Sequence, residues 1–286
     1  MPRGRMVVMI TLGVILGMVL LTLVFFALPY SKTQSEFSKA ADMLIGDAGS
    51  SDELFTLDDI ASLPPPVQRY FIHCRFIGKP KMTHMKATFE DVYFSLGRGK
   101  PAIKIDYVQH NGVDKPQRLA YIDSSLYGIP FEGFDSFMGG EGSMKGIIAK
   151  LFTLFDERGE DMDRACLVTF LAEALFVPSV ALQPYIRWEA IDDTHAKATI
   201  EAYGLSCSGL FTFSEEGEML SFTTDDRMAT GMDGKKEQIR WTAILSDYRQ
   251  KGNLLLPSTL QAVWNYPEGD LLYFDGKGVA IEYFSR

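Results

Sequence analysis

From residue 82 onward the hydrophobic period of this chain changes from helical to two, and that change limits the fold more than any motif does. In "MKATFED", Met85, Ala87 and Phe89 point one way while Lys86, Thr88 and Glu90 point the other. "AIKIDY" repeats the alternation with Ile103, Ile105 and Tyr107 on one face. Breaks at "GRGK", "HNGVDK" and "MGGEG" separate the runs as hairpin turns do. A helix is predicted at about Asp161 to Val177, after which Ala198, Ile200 and Ala202 alternate with Lys197, Thr199 and Glu201. "SGLFTFSEEGEMLSFTT" reads as a hairpin about Glu216-Gly217, "EQIRWTAILSDYR" and "STLQAVWNY" continue the pattern, and "GVAIEYFS" closes it. About ten strands with short turns and one inserted helix predict an antiparallel α+β fold, because βαβ winding needs a helix between most strands. Such a sheet curls, so the expectation is a half-barrel or open barrel whose concave face is covered by the helix around an apolar interior.

The N-terminus obeys a different rule. "MVVMITLGVILGMVLLTLVFFALP", Met6 to Pro29, carries no charge. At 1.5 Å per residue it reaches roughly 36 Å, enough to cross a hydrocarbon core of about 30 Å with some tilt. A cleaved signal peptide has a shorter apolar core and a small-x-small exit, and "FFALPYSK" provides neither. No cysteine follows closely enough for lipidation. The expectation is an uncleaved single-pass anchor over residues 1–30, in a cell membrane. Arg3 and Arg5 precede the span, whereas Lys32 and Lys39 on the other side are diluted by Glu36. The positive-inside rule then puts the N-terminus in the cytoplasm and the large domain outside it. Gly13 and Gly17 match the small-xxx-small spacing that lets two membrane helices meet, a candidate homodimer contact.

Residues 31–55 are polar and rich in Ser, Asp and Gly around a weakly amphipathic piece, "SEFSKAADMLIGDAG", and read as a stalk; residues 56–286 form the outer domain. Thr56 and Asp59 have capping-box spacing. Pro64 to Pro66 end one helix and open the next, whose apolar face is Val67, Tyr70 and Phe71. A net charge of −9, with no basic cluster after residue 30, argues against nucleic acid as a partner.

Motifs for chemistry are sparse. "GRGKPA" is followed by a strand and not by the helix a dinucleotide turn requires, and "GLSCSG" places its second glycine one residue late for a nucleophile elbow. His73, His84, His110 and His195 lack the i, i+4 spacing of a helical zinc pair, and "DERGEDMD" lacks calcium-loop spacing. No cofactor, metal or catalytic residue is assigned. Cys74, Cys166 and Cys207 are an odd set that reads as small buried hydrophobes; one disulfide stays open, with no pair nameable from sequence. The aromatic and methionine residues along the strands form either plain core or the lining of an incompletely filled cavity. The candidates for such a lining are Phe89, Tyr107, Phe137, Met144, Phe170, Trp188, Phe213, Trp241 and Trp264.

Three stretches carry a resemblance. "LPPPVQRY" (63–70), "FDSFMGGEGSM" (134–144) with Asp135, Gly140, Gly142 and Met144 as fixed points, and "LAEALFVPSVAL" followed by "RWEAID" occur in this order in a bacterial family catalogued as a domain of unknown function. The likeness covers about residues 56–285. Its strand pattern is similar to the lipoprotein-carrier fold of the LolA/LolB kind, which implies a half-barrel closed by helices around an apolar cavity. The chain departs from the family at Thr169 and Phe170, where arginine and tyrosine are common, so an Arg–Glu pair with Glu173 is lost.

These readings make the domain a non-catalytic binder of a lipid or other hydrophobic molecule, with an envelope scaffold of filled core as the second reading and a hydrolase as a third. Glu173, Asp135 and Arg69 are the residues to test. At 100° per residue Leu167, Leu171, Ala174 and Leu175 form one stripe, and Glu173 falls beside Thr169 and Cys166. Glu173 therefore reads as a charge on the flank of the helix, with a buried acid as the alternative.

Overall fold

The structure, a computed structural model, describes residues 3–230 and 236–286, without the Arg3 and Thr230 side chains. The uncharged run forms helix α1 (Arg3–Ala27), nearly all of it exposed. It is one helix long and apolar enough to cross a membrane. No atom of the domain comes within 4 Å of where a side chain would grow at Gly13 or Gly17.

The segment expected to be a stalk is a second helix, α2 (Lys32–Asp47). Ser31 caps it by accepting the Gln34 N–H at 3.0 Å. Phe37, Ala41 and Leu44 lie at i, i+4 and i+7 and bury one narrow face against Leu119 and Tyr121 of the sheet. The other faces are polar, which is why the composition reads as a tether. Next come α3 (Leu57–Ile60), with the reciprocal Thr56–Asp59 capping box, and α4 (Pro65–His73), with proline in its first turn.

The strands are β1 (His84–Ser95), β2 (Ala102–Gly112), β3 (Arg118–Leu126), β4 (Ile129–Met138), β5 (Glu141–Ile148) and β6 (Phe152–Arg158). After α5 (Glu160–Ala172) and α6 (Pro178–Ala181) follow β7 (Ile186–Ala190), β8 (His195–Ala202), β9 (Leu205–Phe213), β10 (Met219–Thr224) and the ribbon β11 (Met228–Thr230) and β12 (Lys236–Gln238). The chain closes with β13 (Arg240–Lys251), β14 (Leu254–Tyr266), β15 (Gly269–Lys277) and β16 (Ala280–Phe284). Fourteen strands make one sheet in the order β6-β5-β4-β3-β2-β1-β15-β14-β13-β10-β9-β8-β7, with β16 also paired to β1. Among the described residues every pairing is antiparallel and β6 and β7 remain as free edges, so the barrel is open. More strands form than the ten expected. Two of the hairpins turn at Tyr127-Gly128 and Tyr203-Gly204, where both residues take positive φ. Tyrosine at the first turn position lacks the Asn-Gly signature that marks such turns in a sequence.

Helix α5 lies on the concave face and touches β4, β5 and β6 on one arm of the sheet and β8 and β9 on the other. The sheet thus folds over the helix from both sides. Gly142 permits the approach: a Cβ there would sit 2.7 Å from the Met162 carbonyl oxygen. Its N–H donates to Asp163 in the first turn of α5 at 2.6 Å. The predicted helix to Val177 ends five residues early, at Ala172. The segment that follows is pinned by two tyrosines, the buried Tyr70 donating to the Leu175 carbonyl at 2.7 Å and the partly buried Tyr283 to that of Phe176 at 2.9 Å. These bonds meet backbone groups that a helix would otherwise satisfy. All three cysteines are buried and free.

Beneath α2, His110 is 7% exposed, its ring centroid 5.9 Å from that of Phe37 and its Nδ1 without a partner among the described residues. Burial first, then His84 and Lys86, push it down to about 4 against the pull of Glu282. In the unfolded chain it titrates near 6.5. Between those values the unfolded state holds the extra proton, so acidification from pH 6.5 to 4 favours unfolding by at most roughly 3 kcal/mol. His110→Leu is expected to flatten the fall in unfolding free energy across that window, measured by urea titration at successive pH values. An unchanged slope would assign the acid sensitivity elsewhere.

Candidate functional site: a buried ion cluster beside a cavity

Strand β3 turns Leu119 and Tyr121 outward under α2, so Arg118, Ala120 and Ile122 point into the concave side. Only 6% of the Arg118 side chain is exposed. Its Nε donates to both Glu173 oxygens, at 3.2 and 3.0 Å, its Nη1 to Asp135 at 2.7 Å, and its Nη2 to the Tyr107 hydroxyl at 2.6 Å and to Gln109 at 3.3 Å. Glu173 also accepts from Gln109 and Asn111, each at 2.8 Å. Four elements therefore meet at one guanidinium: β2, β3, β4 and the end of α5. Burial alone would lower the Arg118 pKa, but Glu173, Tyr107 and Asp135 overcome it and hold the group above its usual value. Tyr107 is raised by its own burial and remains a phenol.

The stripe Leu167, Leu171, Ala174 and Leu175 is fully buried, as the helical spacing requires. Glu173 corrects the flank-charge expectation: its side chain is 14% exposed and ion-paired. The wheel was extended through Val177, whereas Glu173 caps the helix with φ −90° and ψ 2°. Its arginine comes from β3, 55 residues away, and not from the preceding helical turn. At position 169 the hydroxyl accepts from Arg227 at 3.1 Å, so this threonine also meets a guanidinium brought from the sheet side.

The cluster forms one wall of a cavity of about 260 Å³ between α5 and the curled sheet. Phe89, Tyr107, Met144 and Trp241 line it, together with Glu173 and Asp135. Phe137, Phe170 and Phe213 are sealed in the surrounding core and do not reach it. Trp188 packs on Phe211 at 5.0 Å and donates to the Ala181 carbonyl at 2.9 Å, outside the cavity. Trp264 flanks the lining, its ring 5.3 Å from the Arg227 guanidinium, which lies 4.6 Å over Trp241. Arg69 is remote and donates to the Asp193 carbonyl. Residues the sequence reading passed over are Arg118, Gln109, Arg227, Met162 and Phe274. One signal was available: in "QRLAYID", Arg118 has the same alternation phase as Ala120 and Ile122, a cation on an inward position.

The lining carries two arginines, Arg118 and Arg227, against two carboxylates, Glu173 and Asp135, so it is neutral. The apolar remainder includes Phe94, Ile122, Leu245, Leu260, Tyr273 and Phe274. Cys166 lies on the wall with its sulfur 3.7 Å from Asp135. Burial, then the Asp135 charge, raises that thiol far above the range of a reactive thiolate. Cys207 is likewise pushed up to about 12 by burial. No group of three or more His, Cys, Asp or Glu side chains arranged to hold a metal occurs among the described residues.

Residues 53–276 match the family of unknown function DUF6544, and the chain belongs to that family. No curated protein matches the sequence. Among solved structures, a LolA-superfamily protein from Nitrosomonas europaea superposes with a TM-score of 0.39 at 8% identity, covering 76% of this chain and 93% of that one. A lipoprotein-sorting protein domain from Vibrio parahaemolyticus, described as a putative outer-membrane one, gives 0.38 at 9% identity, covering 70% and 85%. A DUF1329-family protein from Desulfovibrio piger gives 0.34 at 10%, covering 77% and 93%. Superpositions this loose carry neither ligand nor role to this chain.

Removing the shared cation tests the cluster. Arg118→Met leaves Glu173 and Asp135 facing each other without a counter-charge, and breaking a buried pair in this way costs about 3–5 kcal/mol. Urea unfolding of variant and parent at pH 7 reads the difference; a variant as stable as the parent would mean that the two carboxylates need no counter-charge.

Proposed function

We propose that the domain binds a hydrophobic or amphipathic molecule in the cavity between α5 and the concave sheet, tethered to a membrane by α1. The observation that carries this reading is the cavity itself: about 260 Å³ left open inside a β-rich domain, lined mainly by aromatic and aliphatic side chains. Well-packed interiors leave few voids larger than a water molecule. Small-molecule sites combine such a lining with a few placed polar groups. Here the polar groups are Asp135, with one oxygen held only by the distant Cys166 thiol, and Arg227. The volume suits a single chain or a compact apolar molecule, of the order of the smaller sites in the roughly 300–1,000 Å³ class. A neutral lining gives no preference for a charged head, so the bound part is apolar.

The scaffold reading required a filled core, and the cavity favours binding over it. A hydrolytic role would need a nucleophile with a base; among the described lining residues the one thiol, Cys166, is held protonated. In the proposed placement α1 spans the bilayer with Arg5 on the cytoplasmic side, which puts the sheet domain outside the cytoplasm.

Filling the cavity tests the proposal. Ala262 is 9% exposed and lines the space from β14. Ala262→Phe is expected to weaken binding of a fluorescent fatty-acyl probe by tenfold or more while the unfolding temperature holds or rises. Native mass spectrometry of the purified full chain should show a bound lipid-sized mass that the variant lacks. Equal probe binding by both proteins, or no bindable apolar molecule at all, would sink the proposal.

A further inference from the structure

Strand β6 is a free edge, and every residue of it is exposed. Its character changes along its length. Leu151, Phe152 and Leu154 are 67%, 64% and 53% exposed, whereas Asp156, Glu157 and Arg158 end the strand with charge. Soluble proteins blunt a free edge with charges or proline. Here the half nearest the β5–β6 turn is left apolar on both faces. The neighbouring hairpin adds to the same surface: the Ala149 N–H donates to the Pro130 carbonyl at 2.7 Å, and just beyond it Tyr127 stands 95% exposed at the β3–β4 tip.

The position of this patch identifies what covers it. Lys150, the residue before Leu151, donates to the Leu28 carbonyl at 2.5 Å and lies 6.0 Å from the Phe25 ring centre. That is where α1 ends. The patch therefore begins level with the end of the apolar span, and the charged end of β6 runs away from it. Aromatic and apolar side chains with a lysine among them, set at the end of a membrane helix, have the composition of a water–lipid interface.

We infer that the β5–β6 turn and the apolar half of β6, with Tyr127, dock on the surface of the same bilayer that α1 crosses. This rests on the anchor reading above and adds a second, side-chain contact that fixes how the domain is oriented on the membrane. Phe152 enters the interface and the charged half of β6 stays in water.

The test uses the full chain in nanodiscs made with lipids brominated on their acyl chains. A bimane label is placed at Phe152→Cys and, as reference, at Lys251→Cys on the exposed β13–β14 turn; the three native cysteines are buried, and the unsubstituted chain supplies the labelling blank. Quenching at position 152 is expected to exceed that at 251 by at least threefold. Equal, weak quenching at both sites in chains that stay in the disc overturns the docking and leaves the anchor intact. Protection of position 152 that grows with the number of chains per disc, without bromine quenching, overturns it in favour of a second copy pairing along β6. Chains that leave the disc altogether overturn the anchor reading, and this inference with it.

Discussion

A guanidinium removed from water cannot be left unpaired, and in this domain that requirement organises the concave face. Arg118 is held by Glu173 from the end of α5, Asp135 from β4, and Tyr107 and Gln109 from β2. A buried ion pair is weak evidence for stability, because desolvation offsets most of the attraction. What it does well is demand one arrangement. If α5 slid by a turn, or β3 slipped by one residue, a charge would be stranded in an apolar interior at a cost of several kcal/mol. The cluster thus fixes the register between helix and sheet, which packing of Leu and Phe alone leaves more permissive.

Fixing that register is also what leaves space. Helix α5 meets the sheet closely where Gly142 lets the backbones approach, and it is tied again at Glu173. Between those two points it spans the curl of the sheet, and the cavity occupies the bridged region. The tyrosines that hold the segment after α5 keep it from collapsing inward: Tyr70 and Tyr283 donate to consecutive carbonyls, at Leu175 and Phe176. A void in a core normally costs stability in proportion to its volume. Here rigid attachments on both sides carry it.

The sequence disclosed the parts of this arrangement that depend on neighbours in the chain. Period-two runs announced an antiparallel sheet, the uncharged N-terminal run announced α1, and Thr56 with Asp59 announced a capped helix. Phe89, Tyr107, Met144 and Trp241 were legible as lining because they share the inward phase of their strands. Three things were hidden. Helix α2 buries only one narrow stripe, so its composition matches a tether. The Tyr-Gly turns lack the residues that announce a type I′ hairpin. Glu173 was misplaced because a helical wheel knows nothing of where the helix stops, and its partner Arg118 is brought to it by strand pairing across the fold. Contacts of that kind are set by topology; local pattern shows only that Arg118 shares the inward phase of Ala120 and Ile122.

The polar wall also limits how a ligand could be chosen. Arg118 spends its donors on Glu173, Asp135, Tyr107 and Gln109, so little of the cluster is free to reward a polar head. Where a site withholds hydrogen bonds, selection falls to shape and apolar area, and one methylene is worth only about 1–3 kcal/mol. A cavity built this way tolerates a range of chain lengths and branching, and it rejects molecules that would bury an unmet charge against its aromatic side. Arg227 is the exception on the lining. It is held over Trp241 and bonded through Nη1 to Thr169, and its Nε, buried, has no protein acceptor among the described residues. Any preference beyond shape would have to be expressed there and not at the saturated Arg118.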